Sequence, residues 1–87
     1  MASGDFRWNE WNLDHATKHG CRIAEIESVV RHPGRGFPRD RGNDKWIVEG
    51  RGQGDRIIEV VYLLDEDDTF YVIHAMPLTT RRRRGRR

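Results

Sequence analysis

Four histidines and sixteen lysines and arginines are the chemical resources of this 87-residue chain. His15, His19 and His74 can carry protons, while Lys18, Arg7, Arg51 and Arg81 can stabilise negative charge. Acid–base chemistry beside an anionic group needs a base, an acid and cations facing the developing charge. The residue types fit that set, but His and Arg are plentiful here, so types alone do not select the reaction. His15 and His19 stand four residues apart, a spacing that puts both rings on one side of a helix, as a metal pair requires. A third ligand is missing, since no spacing singles out an Asp or Glu and Cys21 is the only cysteine. Neither a metal nor a cofactor is therefore expected, and the "DEDD" turn lacks the glycine of a calcium loop.

The elements that must hold these groups follow from periodicity. "DFRW" (5–8) alternates polar and aromatic residues and reads as a first strand ahead of an Asn9 N-cap. Residues 10–19 contain no Pro or Gly and read as a helix that stops at Gly20, with Lys18 and His19 in the last turn where cations suit the dipole. "IAEIESVV" carries the stripe of a second helix in Ile23, Ile26, Val29 and Val30. "RHPGRGFP" breaks it, and Pro38 reads as an edge or a loop. From Lys45 the period becomes that of strands: "KWIVEGRG", "RIIEVVYLL" and "TFYVIHAM" form a meander, the middle run apolar on both faces except at Glu59. The order β-α-α followed by three or four antiparallel strands predicts an α+β domain with helices packed on a sheet.

Length allows one small domain, residues 1–80, followed by an arginine-rich tail, 81–87. Arg81, Arg82, Arg83, Arg84, Arg86 and Arg87 make that tail a polycation suited to phosphates, with a steep salt dependence and no sequence specificity. Removing those six leaves ten Lys and Arg against fourteen Asp and Glu, so the body carries about −4. A lone cysteine points to a reducing compartment. No run is apolar enough for a signal peptide or a membrane span, which predicts a cytoplasmic protein that does not enter the membrane.

Several of these residues have ordinary structural uses. His19 suits a helix end, and His74, assigned to the Phe70 and Val72 face of the last strand, reads either as a boundary histidine or as a catalytic group at the strand's end. Trp8, Trp11 and Trp46 can stack on bases, although core packing is the expected use of Trp8 and Trp11. Arg51 between Gly50 and Gly52 is either brought close to a phosphate by those glycines or marks a bulge or hairpin approach.

The words "FRWNEWNLDHATKHG", "IAEIESVV" and "YVIHAMPLTTRRRR" resemble the BrnT family of bacterial type II toxins over nearly the whole chain. Phe6, Trp8, Lys18, His19 and Gly20 match the family's opening, and Ala75 and Thr79 match its ending. Met76, followed by Pro77, stands where the family usually has an arginine, and Arg82 stands near its usual glutamate.

The resemblance implies a RelE-like fold and a metal-independent endoribonuclease acting on RNA. It also implies a partner: a DNA-binding antitoxin that inhibits the toxin and joins it in a heterotetramer. The expected catalytic residues are Lys18, His19, Arg51, His74 and Arg81, with Arg7 and the tail arginines binding nucleic acid. The rival expectation is a non-catalytic nucleic-acid- or protein-binding module on the same scaffold, to which the Met76 and Arg82 departures point. A structural subunit whose tail docks on an acidic partner is the third.

Overall fold

A computed structural model describes residues 4–78. Helix α1 spans Glu10–Thr17 and α2 spans Ile23–Arg31. Strands β1 (Arg39–Gly42), β2 (Lys45–Arg51), β3 (Ile57–Leu64) and β4 (Phe70–Pro77) follow. They form one antiparallel sheet in the order β1-β2-β3-β4, so the expected α+β class is the observed one.

Asn9 starts α1 through a reciprocal capping box. Its side chain accepts from the Asn12 amide at 3.0 Å, and the Asn12 side chain accepts from the Asn9 amide at 2.7 Å. The helix stops at Thr17, two residues before the expected end. The Gly20 amide then closes on the Thr17 carbonyl at 3.0 Å with φ +90°, a conformation that favours glycine. In α2 the apolar stripe behaves as its spacing demands, with Ile26, Val29 and Val30 buried and only Ile23 left exposed.

The "DFRW" segment is not a strand: it makes a single parallel bridge, Phe6 to Phe70, because Asn9 turns the chain into α1 before a second can form. The fourth strand instead precedes "KWIVEGRG". β1 pairs with β2 through a turn at Asn43 and Asp44, whose φ values of 56° and 64° suit a tight two-residue hairpin. Every residue of β1 is exposed, so no alternation of apolar residues marked it.

Both helices cover one face of the sheet. Trp46, Val48, Ile58, Val60, Tyr62, Phe70, Val72 and Ala75 share that face by register and pack with Ala16, Cys21, Ile26, Val29 and Val30. Gly50 lets the helix approach, since a Cβ there would sit 3.2 Å from Val29 Cγ1. An ion pair between the buried Glu25 carboxylate and the partly exposed Arg56 then fixes α2 to the β2–β3 connection. The Glu25 carboxylate accepts from Arg56 at 2.8 and 2.9 Å, from the Gln53 amide at 2.7 Å and from the Arg22 amide at 3.2 Å. Burial by itself would raise the Glu25 carboxyl, but these three donors, through four hydrogen bonds, hold it below the usual carboxylate range. Gly52 leaves the space that carboxylate fills. The two glycines around Arg51 thus serve helix packing.

Candidate functional site

A bulge in β4 decides where His74 points. Tyr62 pairs with Val72, whereas its neighbour Val61 pairs with His74, so Ile73 is an extra residue in the ladder. Phe70 and Val72 face the helices, and after the bulge Ala75 does so too, while His74 moves to the opposite face. The expectation that His74 lies on the Phe70 and Val72 face is overturned for this reason. On its actual face, His74 Nε2 lies 3.3 Å from Glu59 Oε2, an ion pair when the imidazole is protonated.

The end of α1 brings a second imidazole to the same place. His19 lies beyond the helix, in the turn closed by Gly20, and its ring stands edge-to-face with that of His74, centroids 5.8 Å apart. His19 is exposed, and His74 and Glu59 are partly buried. One imidazole is thus backed by a carboxylate and the other reaches into solvent, an arrangement able to accept one proton and donate another. Lys18, exposed as the C-cap residue of α1, adds an ammonium beside His19 in the chain.

His15 goes elsewhere. Its ring stacks on Trp11 at 3.8 Å and its Nδ1 lies 2.8 Å from the Trp11 carbonyl. The helix ends between His15 and His19, which separates the two rings expected to share a face. Among the described residues no group of three His, Cys, Asp or Glu is placed to hold a metal ion.

The expected cations divide. Arg7 Nε donates to Asp65 at 2.8 Å, and its guanidinium sits 4.0 Å over the Tyr71 ring. Hydrogen bonding to Arg7 holds the Asp65 carboxyl below the usual carboxylate range. Arg51 pairs with Asp55 at 3.1 Å and does not join the histidines. It stands opposite Ile57, four residues along β3 from the Val61–His74 pair and two strands over, about 16 Å by strand geometry. Arg81 and the other tail arginines, Arg82, Arg83, Arg84, Arg86 and Arg87, lie outside the described residues.

The tryptophans also differ from one another. Trp8 packs against the core and donates from Nε1 to Glu27 Oε2 at 2.8 Å, and Trp46 packs against the core as well. Trp11, expected in the core, is 50% exposed and lies 6.4 Å from the Tyr71 ring. It faces outward because Asn12 and Ala16 take the buried positions of α1.

Sequence reasoning missed Glu59 and Asn12. Glu59 registered only as a polar interruption in a central strand, which was the available signal. Asn12 is fully buried, and its Nδ2 donates to the Arg7 carbonyl at 3.0 Å and the Val72 carbonyl at 2.9 Å. An Asn three residues after an Asn cap was its signal.

No protein family, curated protein or solved structure matches the chain. No helix among the described residues is long and apolar enough to cross a membrane.

Proposed function

We propose that this chain is a BrnT-like toxin: a RelE-like α+β domain that cleaves RNA without a metal and is neutralised by a DNA-binding antitoxin covering its active face. The observation that carries the reading is the meeting of His19 and His74, with Glu59 behind His74. His74, oriented by Glu59, removes the ribose 2′-OH proton, and His19 donates a proton to the departing 5′-oxygen. The 2′-oxygen bonds to phosphorus as the bond to the 5′-oxygen breaks, leaving a 2′,3′-cyclic phosphate and a free 5′-hydroxyl. Lys18 and the tail, including Arg81, supply the charge that the pentacoordinate phosphate requires.

A binding-only module is the second reading. The observation that favours it is the engagement of Arg51 by Asp55, away from the histidines. Cleavage of labelled RNA in EDTA, wild type beside His19→Ala and His74→Ala, separates the two. Loss of cleavage by about a hundredfold or more in both variants supports the nuclease. RNA bound but left intact by the wild type moves the chain to the second reading.

A further inference from the structure

A cluster of guanidiniums among the described residues lies apart from the histidine pair. Gly34, Arg35, Phe37, Arg39, Glu49 and Arg51 are among the residues lining an open concavity of about 730 Å³ where the segment after α2 meets the end of β2. Three guanidiniums line it with one carboxylate, Glu49, and Arg51 is also paired with Asp55, in a chain whose body is net acidic. Its arginines come from three places, the loop, β1 and β2, so fold topology gathers them rather than one charged run.

The walls are held in place. The Gly34 amide donates to the Glu49 carbonyl at 2.7 Å, and a Cβ on Gly34 would sit 2.9 Å from that oxygen, so the loop lies directly on β2. Arg39 is oriented twice: its Nε donates to the Gly36 carbonyl at 3.1 Å, and its Cζ lies 4.6 Å from the centre of the Phe37 ring. A guanidinium fixed in this way loses little freedom on meeting a phosphate and offers a plane on which a base can stack. Arg51 is likewise steadied by Asp55.

We propose that this concavity is a subsite for single-stranded nucleic acid, with Arg35, Arg39 and Arg51 on backbone phosphates and the Arg39–Phe37 pair against a base. It rests on the reading above only in taking RNA as the ligand. Arg39, Glu49, Arg51 and Ile57 share the sheet face of Glu59 and His74 by register, so one strand can reach both places. Glu49 and Glu59 lie opposite each other between them and direct the phosphates to either side.

The test is binding of a short fluorescent 2′-O-methyl oligouridine to the full chain across a range of salt. The probe lacks the 2′-OH nucleophile, so its binding does not depend on cleavage. Arg35→Ala/Arg39→Ala is expected to weaken binding about tenfold and to lower the salt slope by about 1.4, the share of two single-strand phosphates. Arg22→Ala, which removes one charge at the start of α2, is expected to change neither by as much. Phe37→Leu is expected to weaken binding with the salt slope unchanged. A double variant that binds as the wild type does, or a wild type that does not bind the probe, overturns the subsite. So does polyglutamate competing as well as the oligonucleotide with no effect of Phe37→Leu, which would assign the surface to an acidic protein. Loss of cleavage in the histidine variants leaves all of these outcomes untouched.

Discussion

The buried amide of Asn12 donates to the carbonyl of Val72 at 2.9 Å, fastening the first helix to the last strand. The same Nδ2 reaches the Arg7 carbonyl, and its Oδ1 takes the Asn9 amide, so one side chain ties the N-terminal segment, α1 and β4 together. Val72 is the last core-facing residue before the bulge that turns His74 outward, and α1 is the helix that ends beside His19. Asn12 therefore holds together the two elements on which the imidazole pair depends.

Asn12→Ala is expected to destabilise the fold by roughly 2–3 kcal/mol, because it leaves the buried Val72 carbonyl and the part-buried Arg7 carbonyl and Asn9 amide without this partner. Urea unfolding measures the loss. Where the protein is still folded, cleavage should fall as well, since the helix end is no longer fixed against β4. A stability change under about 0.5 kcal/mol, the range of ordinary surface substitutions, would deny Asn12 this role.

Glu25 sets the acid limit. Its carboxyl is lowered in the folded chain, so the stability it provides is fully present above the unfolded value, near 4.5, and is lost as pH falls through the lower folded value. Unfolding free energy should therefore drop below about pH 4.5 in the wild type. Glu25→Gln is expected to remove part of that dependence while costing about 1–2 kcal/mol at neutral pH, because the charge-assisted hydrogen bonds to the buried carboxylate become neutral while Arg56 stays partly solvated. Chemical denaturation at a series of pH values gives both numbers. Equal acid sensitivity in wild type and variant would transfer the effect to other carboxylates.

Glu59 is the residue on which the catalytic reading adds most to the sequence. Glu59→Gln keeps the size of the side chain but removes the negative charge facing His74, and is expected to lower cleavage about tenfold with RNA binding retained. A fall in binding with no change in turnover would make Glu59 a surface charge and nothing more.

Much of the scaffold was legible because it depends on local pattern. The stripe of α2, the Asn9 cap, the Gly20 stop and the central strand's apolar faces are written in spacing, and burial follows them except at Ile23 and Leu64, at the ends of their elements. The missed strand β1 is short and wholly exposed, so its pairing is decided by the Asn43–Asp44 turn and not by hydrophobicity. The candidate site was legible as residue types but not as geometry. Period-two alternation puts His74 inside with Phe70 and Val72, and only the extra Ile73, visible through pairing, turns it out. Arg51 drew notice through its glycines, yet those glycines answer to Val29 and Glu25 on α2. His32, Arg35, Phe37 and Arg39 are spread over a loop and a strand edge, and no spacing rule groups them.

Met76 offers the sharpest test of the toxin reading. It pairs with Glu59 across β3 and β4, two residues beyond His74 on the same face, and it is partly buried. An arginine here, as in the resembling family, would set a guanidinium beside Glu59 and next to the imidazole pair, where the toxin reading puts the phosphate's developing negative charge. Met76→Arg is therefore expected to raise RNA cleavage by at least about tenfold, mainly in kcat, because the new cation acts on the transition state more than on bound RNA. Single-turnover cleavage in EDTA separates that gain from tighter binding. If the variant binds RNA more tightly and cleaves no faster, the face holding His19, His74 and Glu59 is a binding surface, and the nuclease reading falls with it.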